Sequence, residues 1–258
     1  MVANIDKILT DFSNGKKDSL NDEKYFYPAI QKCKTTDIIK SIQEILKDCC
    51  YPKPNYPLHK ESRYRITPDR LSAIQSGKKG EEAVERYIMT ANGDELCNQW
   101  NVGKRKECVD LVYVNENNEY SLIELKIARQ DSEPDSPLLA FFESIKNYCL
   151  VKNLNKKFNE HFKVNELIIL APKTYYEKLV KTDKKMFEEF LNFIEYYNNK
   201  YKIKIRILYI DICEDYLIKN IIKHEKHRLE GKFIRCLPCV KLENWKEINK
   251  KNWNILCS

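Results

Sequence analysis

Two short apolar segments that carry isolated charged residues most constrain how this chain can fold. The segments are Cys108–Val114 and Tyr120–Ile127, and between them Asn115–Asn118 have the polar composition of a hairpin turn and are followed by Glu119. Both segments are short and rich in Val, Ile and Tyr, which favours strands over helices. The sequence therefore predicts an antiparallel β-hairpin whose two strands both contain charged side chains.

The charged residues of this hairpin share one face. Because alternate side chains of a strand point the same way, Glu124 and Lys126 lie on one face and Leu125 on the other. A turn centred on residues 116 and 117 places Asp110 opposite residue 123 or 124. Two opposed carboxylates repel each other, whereas a divalent cation such as Mg²⁺ between them favours both ionised forms. The alternative is an ordinary solvated strand face, where Glu–Lys neighbours are common.

Three segments resemble the core of the PD-(D/E)xK nuclease superfamily, in particular archaeal Holliday junction resolvases and restriction-like bacterial nucleases. They are Gly77–Tyr87, Glu107–Tyr113 and Leu122–Lys126. The resemblance implies a restriction-endonuclease-like α/β fold, in which helices flank a mixed β-sheet with an α-β-β-β-α-β core. It also implies metal-dependent hydrolysis of phosphodiester bonds in nucleic acid, usually DNA.

The resemblance also implies which residues form the site. Gly77 and Glu81 fit a G-x-x-x-E pattern that supplies a further acid, with Glu82 and Glu85 as substitutes. The three acids of the set would hold Mg²⁺ or Mn²⁺, and its lysine would assist the attacking water or stabilise charge on the phosphate. The full expected catalytic set is Glu81, Asp110, Glu124 and Lys126.

The remaining pattern gives an order of elements and a domain organisation. A helix is predicted up to about residue 89, interrupted near Gly77 and Gly80, and a short strand follows over 95–100. Beyond the hairpin, the sequence predicts helices over 137–151 and 183–198 and strands over 166–170 and 202–210. The proline-rich stretch 51–57 marks a candidate boundary. The expected parts are an N-terminal helical module (1–66), a nuclease core (67–215) and a C-terminal extension (216–258).

A basic rim is expected around the site. The net charge of +7 is compatible with a polyanionic partner such as DNA. Cationic side chains that flank the motifs would contact phosphates and make binding salt-sensitive, although a Lys-rich protein also has a charged surface without such a partner. The candidates are Lys78, Lys79, Lys104, Arg105, Lys106, Arg129 and Lys146.

A second candidate metal site lies near the C-terminus. His224-x-x-His227 and Cys236-x-x-Cys239 have the spacing of two zinc-ligand pairs. The alternative is that the histidines lie on a basic helix face and that Cys236 and Cys239 act as small hydrophobic residues. Zn²⁺ is therefore a second cofactor to test, beside Mg²⁺ or Mn²⁺.

Composition indicates the compartment and narrows the function. Ten cysteines, no apolar run near the ~20 residues of a membrane span, and an acid-containing N-terminus predict a reduced cytoplasmic protein without a membrane partner. The expected function is a DNA endonuclease in restriction or anti-phage defence. Alternatives are a Holliday junction resolvase or repair nuclease, cleavage of RNA, and a non-catalytic binding module on the same fold. Two cuts in a duplex need two active sites, which favours a homodimer.

Overall fold

In a computed structural model of the chain, the strands of a mixed sheet lie side by side in their order along the sequence. The structure describes residue 10 and residues 23–47, 49, 66–77, 80–103, 107–128 and 135–256. The strands are β1 (Leu96–Asn101), β2 (Cys108–Val114), β3 (Glu119–Leu125), β4 (Lys163–Pro172), β5 (Lys204–Ile210) and β6 (Lys246–Ile248). The β3–β4 and β4–β5 pairs are parallel, and the other neighbours are antiparallel.

Helices flank this sheet. In the described ranges they are α1 (Glu23–Thr35), α2 (Ile38–Ile45), α3 (Pro68–Gln75), α4 (Gly80–Asn92), α5 (Pro137–Phe158), α6 (Lys173–Thr182), α7 (Lys184–Lys200) and α8 (Glu214–Leu229). Short 3₁₀ turns occur at Gly93–Glu95, Pro238–Val240, Leu242–Asn244 and Trp253–Leu256. None of these helices combines the length and apolarity that a membrane crossing requires.

Strand β4 shows how the sheet divides the core. Leu167 and Ile169 pack in the same buried cluster as residues of α5, whereas Ile168 and Leu170 pack with residues of α4. Because alternate side chains point to opposite faces, both faces of β4 are covered. A strand buried on both faces is a continuous apolar run, which explains the predicted strand at 166–170. The α/β class with a mixed sheet between helices is confirmed.

The predicted hairpin is confirmed as β2 and β3. Its turn is held by Asn115, whose Oδ1 accepts hydrogen bonds from the amides of Asn117 at 2.9 Å and Glu119 at 3.0 Å. Asn118 has a φ of 58°, a left-handed conformation that asparagine tolerates. The second strand ends at Leu125, two residues earlier than predicted.

Other predicted elements differ mainly at their ends. The predicted interruption near Gly77 and Gly80 is confirmed: α3 ends before Gly77, whose φ of 77° favours glycine, and α4 begins at Gly80 and continues past residue 89 to Asn92. Asp37 is the N-cap of α2, where its Oδ1 accepts from the Lys40 amide at 3.1 Å. Helix α5 continues beyond residue 151, to Phe158.

The chain segments on either side of the predicted core also contact it. Helix α2 buries Ile38 and Ile42 in the cluster that contains α5. Strand β6 pairs with β5, so residues of the predicted C-terminal extension complete the sheet. The proline-rich candidate boundary at 51–57 lies outside the described residues.

Candidate functional site

A buried lysine at the end of β3 is the centre of the candidate site. Lys126 follows the last residue of β3, and its backbone amide donates to the Leu170 carbonyl of β4 at 2.8 Å. Its Nζ lies 2.7 Å from Oε1 of Glu124, and the lysine is only 4% exposed. Because an unpaired buried charge is costly, the position of this lysine depends on the carboxylates around it.

Asp110 on β2 lies beside this pair. The β2–β3 register aligns Leu111 with Ile123, and the next step of the same register aligns Asp110 with Glu124. The Leu125 amide donates to Oδ2 of Asp110 at 2.9 Å, which fixes the carboxylate against the end of β3. The register therefore agrees with the placement predicted from the turn.

Helix α5 supplies two side chains that were not predicted from the sequence. Oε2 of Glu143 lies 2.8 Å from Nζ of Lys126, and Nδ2 of Asn147 donates to Oε2 of Glu124 at 3.3 Å. Glu143 and Asn147 are four positions apart, so they share one face of the helix. A Glu and an Asn at this spacing inside the apolar segment 138–150 are the signal that could have identified them.

Glu81 joins this cluster from α4. Burial raises the pKa of Glu81 to about 7, an effect that Lys126 opposes and that the charges of Asp110 and Glu143 reinforce. These interactions place Glu81 in the same electrostatic environment as the hairpin acids. The structure thus brings Asp110, Glu124 and Lys126 together at the end of the hairpin, and Glu81 interacts electrostatically with Lys126 and Asp110.

The two substitute acids on α4 have different surroundings. Glu82 forms ion pairs with Arg70 and with Arg86, the latter at 2.8 Å, and these arginines occupy its carboxylate. Glu85 is buried and accepts hydrogen bonds from two side-chain amides of β1, each at 2.8 Å. Burial and then the charge of Asp110 raise the pKa of Glu85 to about 8. Glu85 therefore borders the acid cluster, whereas Glu82 does not.

One lysine faces more carboxyl groups than it can neutralise. Burial alone would lower the pKa of Lys126, but the surrounding carboxylates hold it well above its usual range, so the ammonium group stays charged. Burial and the charge of Asp110 raise the pKa of Glu124 well above its usual range. Buried like charges repel, so at neutral pH the cluster must either keep protons or bind a further cation. Its carboxyl groups are those of Glu81, Asp110, Glu124 and Glu143.

The carboxylate oxygens of the cluster are of the ligand type that Mg²⁺ and Mn²⁺ prefer, but these side chains, all within the described ranges, are not arranged around a common point. Both ions prefer oxygen ligands, and Glu81, Asp110 and Glu124 offer carboxylate oxygens in one acid-rich cluster. Within the described ranges, no three or more His, Cys, Asp or Glu side chains are already arranged to hold a metal ion. A bound cation would therefore compete with Lys126 for the carboxylate of Glu124.

Two of the four predicted zinc ligands contact each other. Nε2 of His224 lies 3.7 Å from Sγ of Cys236, and Nδ1 of His224 lies 3.1 Å from Oε1 of Glu225. These two hydrogen bonds raise the pKa of His224 to about 9. In the part of the chain that the structure describes, His227 and Cys239 do not complete a metal-holding group with this pair. Zinc binding therefore stays a prediction from spacing.

Six of the seven predicted phosphate-contacting residues lie outside the described ranges. These six are Lys78, Lys79, Lys104, Arg105, Lys106 and Arg129. Lys146 is described, and its Nζ lies 3.5 Å from Oε1 of Glu107, with both side chains 12% exposed. A phosphate group would have to displace Glu107 to reach this ammonium group.

The acid cluster is distinct from a surface cavity between α7 and β6. That cavity is lined by residues such as Ile194, Ile207 and Ile248 and by none of the clustered acids. We place the candidate site at the acids, because buried charges with several perturbed pKa values mark functional sites. No protein-family model matches the chain, and comparison with curated proteins and with solved structures gave no match. A functional assignment therefore rests on the residues and their geometry.

Proposed function

We propose that the chain is a metal-dependent endonuclease of the PD-(D/E)xK superfamily that hydrolyses DNA, with restriction or anti-phage defence as its setting. One observation carries the proposal: Asp110, Glu124 and Lys126 meet on neighbouring strands, with an excess of carboxyl groups around a buried lysine. On a solvated strand face, Glu124 and Lys126 would be exposed, whereas both are buried. The order α4-β1-β2-β3-α5-β4 also follows the α-β-β-β-α-β core of that superfamily.

The chemistry follows from the roles of these side chains. Glu81, Asp110 and Glu124 would hold Mg²⁺ or Mn²⁺, which when bound supplies a Lewis acid and a water of lowered pKa. Lys126 orients the attacking water or stabilises the charge that develops on the phosphate. Glu143 holds the ammonium group of Lys126 from α5.

A non-catalytic nucleic-acid-binding module is the alternative that one observation favours. Lys126 already pairs with Glu124 at 2.7 Å and with Glu143 at 2.8 Å, so part of the negative charge is balanced without a metal ion. In such a module the lysine would be a structural counter-ion. Titration of the protein with Mn²⁺ separates the two functions, because the nuclease requires binding that Asp110→Asn abolishes.

Cleavage assays test the proposal directly. Supercoiled plasmid, linear duplex, four-way junction, single-stranded DNA and RNA are incubated with the protein in Mg²⁺, Mn²⁺ or EDTA. We expect metal-dependent cleavage of DNA that Asp110→Asn, Lys126→Ala and Glu81→Gln abolish. Glu82→Gln is the matched control, because Glu82 is adjacent on the same helix but binds arginines, and it should retain activity.

The substrate panel also separates the neighbouring nuclease functions. Preferential cutting of the four-way junction would indicate a resolvase, and preferential cutting of RNA would replace DNA as the substrate. Cleavage that survives both Asp110→Asn and Lys126→Ala would contradict the assigned site. Absence of cleavage together with absence of Mn²⁺ binding would favour the non-catalytic module.

A further inference from the structure

Helix α8 presents a row of basic side chains to solvent. These exposed side chains are Lys219, Lys223 and Lys226. They recur after four and then three residues, so they lie along one face of the helix. Of the exposed acids before and after this row, Asp215 lies in the first turn of the helix and Glu230 pairs with Lys232 at 2.9 Å. The face therefore has an excess of positive charge.

One exposed aromatic side chain precedes the lysine row, and another follows it. Tyr216, three positions before Lys219, is 56% exposed, and Phe233, beyond the end of the helix, is 88% exposed. Among the large hydrophobic side chains that the structure describes, these two are the most exposed. Single exposed apolar residues are common on protein surfaces, so the significance of these rings comes from their alignment with the lysines.

The segment that carries Phe233 has a fixed conformation. Gly231 ends α8 with a φ of 72°, which is the left-handed conformation that glycine adopts after a helix. The Lys232 amide donates to the His227 carbonyl at 2.8 Å, and the Leu237 amide donates to a tyrosine hydroxyl of α4 at 3.1 Å. The segment is therefore attached to α8 on one side of Phe233 and to α4 on the other.

Helix α8 begins beside the acid cluster. Oε2 of Glu214, the first residue of the helix, accepts a hydrogen bond from the Ala128 amide at 2.7 Å, and Ala128 is two residues beyond Lys126. A helix of 16 residues is ~24 Å long, which equals about seven stacked nucleotides at ~3.4 Å each. A strand that leaves the acid cluster along α8 would thus meet Tyr216 first, then the lysines and finally Phe233.

We propose that this α8 surface, formed by Tyr216, Lys219, Lys223, Lys226 and Phe233, binds a single-stranded segment of the substrate next to the acid cluster. The lysines contact phosphates of the strand, and the two rings stack on its bases. Stacking requires unpaired bases, and proteins hold single strands by combining a basic track with aromatic rings. The inference deepens the proposed function and rests on it for the choice of DNA. It assigns the substrate class as DNA with a single-stranded stretch beside the scissile bond.

The apolar side chains of α8 argue against a membrane as the partner of this surface. Leu217 and Ile221 are buried in the cluster that also contains residues of α4. A helix that lies in a membrane interface buries its apolar face among the lipids. Because α8 uses that face for the protein core, only the lysine row and two separate rings remain for a partner.

The test measures binding by fluorescence anisotropy, in EDTA, of the full-length protein to a labelled oligothymidylate and to a duplex of equal length. We expect the wild type to bind the single strand more tightly. In Lys219→Ala/Lys223→Ala/Lys226→Ala, the slope of log K against log salt should fall by about 2, because each phosphate contact contributes ~0.7. In Tyr216→Ala and Phe233→Ala, affinity should fall about tenfold at an unchanged slope, because a stacking ring carries no charge.

Lys185→Ala/Lys202→Ala/Lys204→Ala is the matched control. These three lysines are also exposed, but they lie on or beside α7 and β5, so the same loss of charge should leave the slope unchanged. Equal affinity of the wild type for single strand and duplex would overturn the proposal, as would an equal fall of the slope in both triple variants. Binding to phosphatidylserine vesicles that only the α8 triple variant loses, with DNA binding intact, would assign the surface to a membrane instead.

The same variants separate this surface from the catalytic site. Asp110→Asn leaves the α8 surface intact, so it should bind the single strand at least as tightly as the wild type while it loses cleavage. Metal-dependent cleavage by the wild type, with unchanged binding in the α8 variants, would refute the surface alone. Binding that depends on the α8 surface, without cleavage in Mg²⁺ or Mn²⁺, would refute the nuclease and support a nucleic-acid-binding module.

Discussion

Replacement of Lys126 by methionine should destabilise the protein by about 3–5 kcal/mol, because it leaves buried carboxylates without their cation. The magnitude follows from two contacts of the ammonium group, 2.7 Å to Glu124 and 2.8 Å to Glu143, and from the burial of all three residues. Methionine preserves most of the apolar stem, so lost packing contributes little. The double variant Lys126→Met/Glu124→Gln removes one stranded charge and should recover part of the loss.

Urea unfolding followed by circular dichroism measures this loss as a shift of the midpoint at constant m value. Lys232→Met is the matched control, because Lys232 contacts Glu230 at a similar distance of 2.9 Å on the exposed surface, where ion pairs contribute little. Its midpoint should not change. The loss in Lys126→Met should grow from pH 5 to pH 8, because without the lysine the clustered acids keep their protons to a higher pH than the same acids in the unfolded chain.

A loss below about 1 kcal/mol, well under what breaking a buried ion pair costs, would refute the view that Lys126 is the counter-ion of the cluster. An equal loss in the single and double variants would refute its coupling to Glu124. Addition of Mn²⁺ to Lys126→Met should restore part of the stability, since a ligand at 100 times its Kd adds about 2.7 kcal/mol. If Mn²⁺ leaves the midpoint unchanged, the acids are not metal ligands, and Lys126 is only their counter-ion.

Three further changes test separate parts of the structure. Burial raises the pKa of Glu214 from 4.5 to about 7, so the wild type should lose stability as the pH rises between these values. Glu214→Gln should reduce that slope in thermal unfolding between pH 5 and pH 8 by the share of one carboxyl group, because Glu81 and Glu85 contribute to the same slope, and an unchanged slope would contradict the assignment. Asn147→Ala should weaken Mn²⁺ binding by about 10–100-fold in titration calorimetry, because it removes the amide that orients Glu124. Asp183→Ala should cost about 1 kcal/mol in urea, because Oδ1 of Asp183 accepts from the Met186 amide at 2.8 Å as the N-cap of α7; Asp183→Asn should keep most of that stability.

The hairpin and its charged residues could be predicted because the information is local. Strand alternation alone places Glu124 and Lys126 on one face, and the position of the turn aligns Asp110 with Glu124. The polar residues Asn115–Asn118 fix that turn through side-chain hydrogen bonds within the turn itself. The two opposed carboxylates of the hairpin could thus be predicted without knowledge of how the helices pack.

Features that depend on distant packing could not be predicted in the same way. Glu143 reaches Lys126 only because α5 packs against β3 and β4, and the sequence does not specify that docking. Helix α6 was missed because its N-cap, Pro172, makes no side-chain hydrogen bond and its first turn lacks acids. Strand β6 was missed because it has three residues and depends on pairing with β5.

The sequential order of the strands has a consequence for folding kinetics. Residues 80–126 contain α4, the hairpin and three of the four clustered acids. The contacts among these acids therefore join parts of the chain that are fewer than 50 residues apart. Short loops cost little closure entropy and form rapidly. Electrostatic repulsion among Glu81, Asp110 and Glu124 therefore opposes an early step of assembly, before the long helix that carries Glu143 and Asn147 has been joined to the sheet by β4. We therefore expect that protonation of these acids changes the rate of folding as well as the stability of the folded protein.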